Sequence, residues 1–169
     1  MNVRIPVALL AAAALGIATP MTATAATPRT AAPQNTIVVN RNVTFSGGVP
    51  VGGWTSLTLN RNGTYNWSGH MHDSGGTSYN YSGVCVVRFS SGTAFVFETR
   101  GRVHGTFDSG SRDYNWNKSG YNRALPSVWN ASSSYRWTCK NRTTLNLAGV
   151  VDSALAAVGY AARVVAIVA

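Results

Sequence analysis

Between residues 37 and 140 the chain alternates apolar and polar positions with a period of two, interrupted by short clusters of Gly, Asn, Ser and Thr. The run Trp54-Thr55-Ser56-Leu57-Thr58-Leu59 keeps this period, Asn60-Arg61-Asn62-Gly63 follows as a turn, and 64–72 returns as a second strand. An Asn-Gly pair between alternating segments is the strongest short hairpin signal in a sequence. A second hairpin joins 79–89 to 93–104 across Ser90-Ser91-Gly92, and further strands are predicted at 37–45, 114–116 and 134–140. Strand following strand, with no helix between, predicts a mainly β domain over 36–142, folded as an antiparallel β-sandwich or barrel.

The pattern changes after Arg142. Leu147, Val150, Val151, Ala154, Leu155, Val158, Ala162 and Val165 recur at helical spacing, and Asp152 and Arg163 share a polar stripe three turns apart. One apolar C-terminal α-helix is therefore expected over 143–169. Its longest uncharged stretch, 153–162, is far shorter than the roughly 20 residues that span a bilayer. The helix is expected to pack on the sheet. An oligomer contact or association with a membrane surface is the alternative, because 164–169 is apolar throughout.

The N-terminus reads as an address rather than as fold. Residues 1–26 carry Arg4, an apolar run rich in Ala and Leu, and a small-residue cleavage pattern, which together make a secretory signal peptide. Residues 27–35, rich in Pro, Ala and Thr, read as a flexible leader. The mature protein is thus expected to be secreted and extracellular. In that setting two cysteines imply one disulfide. Cys85 shares a strand face with Val87 and Phe89, and Cys139 with Tyr135 and Trp137, so both point inward. Closing that loop would contribute about 4 kcal/mol on the chain-entropy account.

Charge widens the range of partners without choosing one. The chain carries 14 basic residues against 5 acids, a formal net charge of +9, and loss of the signal peptide removes Arg4. Arginine supplies 12 of the basic residues, scattered rather than clustered. Such a surface suits nucleic acid, anionic lipid or an acidic cell-surface polymer, and equally a solvated face.

The chemistry-bearing side chains are concentrated. All three histidines and three of the five acids fall in two similar segments. The first is Gly69-His70-Met71-His72-Asp73-Ser74-Gly75. The second runs from Gly101 through His104 to Asp108-Ser109-Gly110, with Asp113 just beyond. Alternation places Asn66, Ser68, His70 and His72 on one strand face, opposite Tyr65, Trp67 and Met71. It places Glu98, Arg100, Arg102 and His104 opposite Phe95, Phe97 and Val103.

Three uses of these residues follow. A glycan or cell-envelope polymer would be bound non-catalytically by exposed aromatics, amides and arginines, with Asn66, Trp67, Trp116 and Arg102 as candidates. A ribonuclease-like hydrolase would take its base, acid and phosphate-facing cation from His70, His72, Glu98, Arg100, Arg102 and His104. A metal would need His70, His72 and His104 with Asp73 or Asp108. No HExxH or CxxC arrangement is present, so no metal or other cofactor is expected. For Asp73 and Asp108 the plainer role is to cap turns through their side chains.

The run Gly52-Gly53-Trp54-Thr55-Ser56-Leu57-Thr58-Leu59-Asn60, with Gly63-Thr64-Tyr65 and 68–75, resembles a group of small, uncharacterised exported β-domain proteins of actinobacteria. The resemblance implies export and a compact β domain, and no activity.

Overall fold

A computed structural model describes residues 29–31, 34–144 and 146–168; the expected signal peptide lies outside them. In chain order the elements are β1 (Arg29–Ala31), β2 (Thr36–Thr44), β3 (Val51–Asn60), β4 (Thr64–Asp73), β5 (Tyr79–Phe89), β6 (Thr93–Val103), β7 (Asp113–Tyr121), α1 (Ala124–Asn130), β8 (Tyr135–Arg142), α2 (Leu147–Val158) and β9 (Arg163–Val168). They form an antiparallel sheet ordered β2-β3-β4-β7 and a five-stranded sheet ordered β1-β8-β5-β6-β9. Only the β6–β9 pair is parallel. The architecture is a sandwich, not a closed barrel.

Both expected hairpins form, β3 with β4 and β5 with β6. At the first, Gly63 takes φ 97°, a conformation natural to glycine, and its amide donates to Asn60 O at 2.9 Å. The main core lies between the sheets. Ile37, Val39, Leu57, Leu59, Trp67 and Met71 meet Tyr81, Val87, Phe89, Phe95 and Phe97 there. Cys85 and Cys139 sit opposite each other on β5 and β8 and are disulfide-bonded among these side chains.

Part of the other face of the five-stranded sheet is buried as well. Val84, Val86, Ala94 and Val96 pack against Val150, Ala154 and Val158 of α2. This explains the unbroken apolar run Val84-Cys85-Val86-Val87, since a strand covered on both sides has no reason to alternate. The Asn146 side chain caps α2 by accepting from the Gly149 amide at 3.1 Å.

Three local expectations are corrected. The C-terminal helix stops at Val158, where Gly159 at φ 91° ends it, and 163–168 is a strand instead. The β-branched run Arg163-Val164-Val165-Ala166-Ile167-Val168 favours strand, and the edge of β6 offers unpaired backbone groups to receive it. Asp152 and Arg163 therefore share no helical stripe. The leader contains β1, which pairs with β8 through backbone hydrogen bonds that no side-chain pattern announces. Helix α1 was not foreseen either; it closes one end of the sandwich with Leu125, Val128 and Trp129.

Packing on the sheet is the structure's answer for α2. Tyr160, Val164 and Val168 beside it remain exposed. Among the described residues no helix is long and apolar enough to cross a membrane.

Candidate functional site

Among the described residues, no helix covers the outer face of the four-stranded sheet. Its side chains form rows across the strands, set by the register of β2, β3, β4 and β7. One row reads Thr44, Gly52, His72, Asp113; the next Asn42, Trp54, His70, Asn115; the next Asn40, Ser56, Ser68, Asn117. Hydrogen bonds hold many of these groups in place. Ser56 Oγ donates to Asn40 Oδ1 at 2.7 Å. Asn66 Nδ2 donates to Asn117 Oδ1 at 2.8 Å and to Ser119 Oγ at 2.7 Å.

At one end of this face the histidines converge on a carboxylate. His72 Nδ1–H donates to Asp113 Oδ1 at 2.8 Å, and His70 Nε2 stands 3.5 Å from the same oxygen. His70 Nδ1–H donates to Asn115 Oδ1 at 2.8 Å. The hydrogen bond from His72 holds the Asp113 carboxyl below the usual carboxylate range. Desolvation opposes the shift, and the charges of His72, His70 and Arg112 reinforce it. Beside the rings lies a groove of about 470 Å³ lined by Pro50, Val51, Gly52, Gly53, His70, His72 and Ser74. It exists because Gly52 contributes no side chain to its row: a Cβ there would meet only Val43 O, at 3.4 Å.

The candidates that sequence reasoning assembled are separated by the fold. His70 and His72 face outward from the four-stranded sheet. Glu98, Arg100 and Arg102 lie on the outer side of the five-stranded sheet, in line with Ala94 and Val96, which face α2. The core separates the two groups, so the base, acid and cation of the ribonuclease-like set do not share a surface in one molecule. His104 falls just past the end of β6. Its amide donates to Ser111 O at 2.9 Å, its ring lies against Gly110, and its Nδ1 is buried without a hydrogen-bond partner. Burial raises the Glu98 pKa above its ordinary value. Among the described residues no three His, Cys, Asp or Glu side chains come together as a metal-holding group.

The ligand-binding candidates need one correction. Trp67 and Trp116 are 0 % and 6 % exposed and pack on each other between the sheets, 5.5 Å apart, where no ligand can stack on them. Their parity already forbids it: Trp67 alternates with Asn66, so the two cannot share a face. Asn66 is on the open face, and Arg102 is on the opposite side of the sandwich, 3.9 Å from Asp108.

Trp54 was not among the chosen candidates and is the tryptophan that matters here. It is 44 % exposed, whereas the other four are at most 9 % exposed. The signal was present in β3, where Leu57 and Leu59 take one parity and Trp54, Ser56 and Thr58 the other. Asp113 was noted beside the second segment, but its pairing with His72 needed the β4–β7 register.

The two Asp-Ser-Gly segments prove to be neighbours with structural roles. Asp73 is fully buried and its Oδ1 accepts from the Gly75 amide at 2.7 Å. Asp108 accepts from the Ser78 hydroxyl. The loops lie back to back, with Thr106 N and Phe107 N donating to Gly75 O and Gly76 O at 2.9 and 3.2 Å. A Cβ on Gly105 would stand 2.2 Å from Gly76 O, so the contact requires glycine.

No family model, no curated protein and no solved structure matches this chain.

Proposed function

We propose that this is an exported, non-catalytic glycan-binding protein that uses the outer face of its four-stranded sheet. The observation that carries the reading is Trp54, the one exposed indole, standing between Asn42 and His70 beside the groove floored by Gly52. An indole offers a flat apolar surface to the C–H face of a sugar ring, while amides and hydroxyls in fixed positions exchange hydrogen bonds with the sugar's hydroxyls. The cross-strand bonds of Asn40, Asn66 and Asn117 orient those amides before any ligand arrives, which lowers the ordering cost of binding. A rigid sheet suits this better than a loop, because its side-chain spacing does not drift. The disulfide is compatible with an extracellular setting, and the N-terminal pattern of 1–26 supplies the route.

Titration of the purified protein with a panel of neutral oligosaccharides and soluble peptidoglycan fragments tests the reading. Binding should quench or shift indole fluorescence through Trp54, since the other four indoles are buried. Trp54→Ala should weaken binding by about tenfold or more, with the fold intact. A panel in which nothing binds, or binding that survives Trp54→Ala unchanged, would sink it.

A further inference from the structure

At the far end of the same face, where β3 turns into β4, a second concavity of about 540 Å³ is lined by Asn35, Thr36, Asn60, Arg61, Asn62 and Asn130. It lies some eight residues along β3 from the groove at Gly52, roughly 26 Å at strand spacing. Every lining side chain is polar, and three of the amides accept hydrogen bonds through their oxygens, Asn60 also donating through Nδ2 to Thr64 Oγ1 at 3.0 Å. Thr36 Oγ1 donates to Asn60 Oδ1 at 3.0 Å. Asn62 Oδ1 accepts from the amide and the hydroxyl of Thr64 at 3.0 and 2.8 Å. Asn130 Oδ1 accepts from Arg61 Nε at 2.9 Å and from Arg61 Nη2 at 2.7 Å.

Each of these three amides is anchored through its oxygen. Among the described residues, the NH₂ groups of Asn62 and Asn130, the side-chain amide of Asn35 and the Nη1 side of the Arg61 guanidinium have no hydrogen-bond partner. Among the described residues no carboxylate lies within ion-pair distance of that guanidinium. Around Arg61 the concavity therefore presents free donors beside one permanent cation, while the amide oxygens of Asn60, Asn62 and Asn130 already accept hydrogen bonds within the protein. A neutral sugar would need acceptors as well as donors, because each hydroxyl also donates. An oxyanion needs only donors, and a planar carboxylate fits the free edge of a guanidinium.

We propose that this concavity is a subsite for a carboxylate-bearing sugar, a uronic acid unit of a polymer whose neutral portion lies along the strand face toward Trp54. The inference rests on the glycan reading and adds the chemical class of the ligand and the end of the face at which its charge is read.

The test is a titration of ¹⁵N-labelled protein, followed by NMR, with galacturonate oligomers, with the same oligomers methyl-esterified, and with inorganic phosphate. Galacturonate should shift the Asn62 and Asn130 side-chain NH₂ signals and the Arg61 Nε–H signal. Esterification, or Arg61→Gln, should each weaken binding by about tenfold, the loss of one charge-assisted contact. Arg61→Lys keeps the charge without the fork and should fall between. Equal affinity for acid and ester, shifts that avoid these three residues, or phosphate binding more tightly than galacturonate at the same signals would each overturn the proposal. The two readings fail separately. Neutral oligomers that lose affinity in Trp54→Ala, with no preference for the acid, leave the strand-face platform and remove this subsite. Monomeric galacturonate shifting Arg61 while no neutral oligomer binds does the reverse.

Discussion

The two outer faces of the sandwich follow one alternation rule and end in opposite conditions. On the five-stranded sheet the off-core positions Val84, Val86, Ala94 and Val96 are covered by α2, while Glu98, Arg100 and Arg102 at the other end of β6 are not. On the four-stranded sheet the equivalent positions are Asn66, Ser68, His70 and His72, and no element of the described chain covers them. What decides whether a face is covered is the chemistry of the second parity, not the strand pattern itself. A helix leaves water only for a face that gains by burial, at about 25 cal/mol for each Å² of apolar surface removed.

The largest effect should come from giving the covered face the chemistry of the open one. Ala154→Asp sets an unpaired charge against Val84, Val86 and Val96 and should cost more than about 3 kcal/mol in urea unfolding. The converse change, Ser68→Val on the open face, should stay within about 0.5 kcal/mol. Equal costs would mean that α2 contributes nothing to the fold.

Next in size is a pair of tryptophans on adjacent strands. Trp67→Ala should cost about 3–5 kcal/mol, because it empties the core between the sheets. Trp54→Ala should leave stability within about 0.5 kcal/mol while weakening glycan binding by about tenfold or more. Filling the groove with Gly52→Leu should weaken glycan binding with little change in stability, since φ is not left-handed there and a Cβ would meet only Val43 O, at 3.4 Å. Unchanged affinity would separate the groove from the ligand.

The smallest effects are in pH dependence, and they differ in sign between the faces. The Asp113 pKa is depressed below its ordinary 3.8. Its contribution to stability is therefore present above that value and is lost as pH falls through the lower folded one, so Asp113→Asn should flatten the acid limb of the stability curve. The Glu98 pKa is raised above its ordinary 4.5. The folded state then holds that proton more tightly than the unfolded chain does, and stability falls as pH rises through this window. Glu98→Gln should accordingly stabilise at pH 7, by about 0.5 kcal/mol or less, and not at pH 3. A gain that persisted at pH 3 would rule out ionisation as its source.

How far the fold was legible follows the same division. The two hairpins, the inward cysteines and the packed helix could be read because each depends on local periodicity or parity. β1 could not, because its pairing rests on unpaired backbone of β8 rather than on its own side chains. β9 reads as helix because its apolar residues continue the helical spacing of α2, although its β-branched run and the open edge of β6 favour strand. α1 is too short for periodicity to mark it. The site was half legible. Parity set His70 and His72 outward and would have set Trp54 outward too. The Asp113–His72 pair and the separation of His70 from Glu98 depend on which strands join which sheet, information that resides in long-range pairing.

The disulfide joins residues that are direct partners in the middle of the five-stranded sheet, Cys85 opposite Cys139. A slip of one residue between β5 and β8 would turn one of the two sulfurs toward the helix side and the other toward the core, where they could not bond. The bond therefore fits the β5–β8 alignment seen here, in which Cys85 faces the core and Val84 and Val86 face α2. Once closed, the bond locks β5 and β8 together at the centre of the sheet, so the register beneath α2 is held covalently as well as by packing.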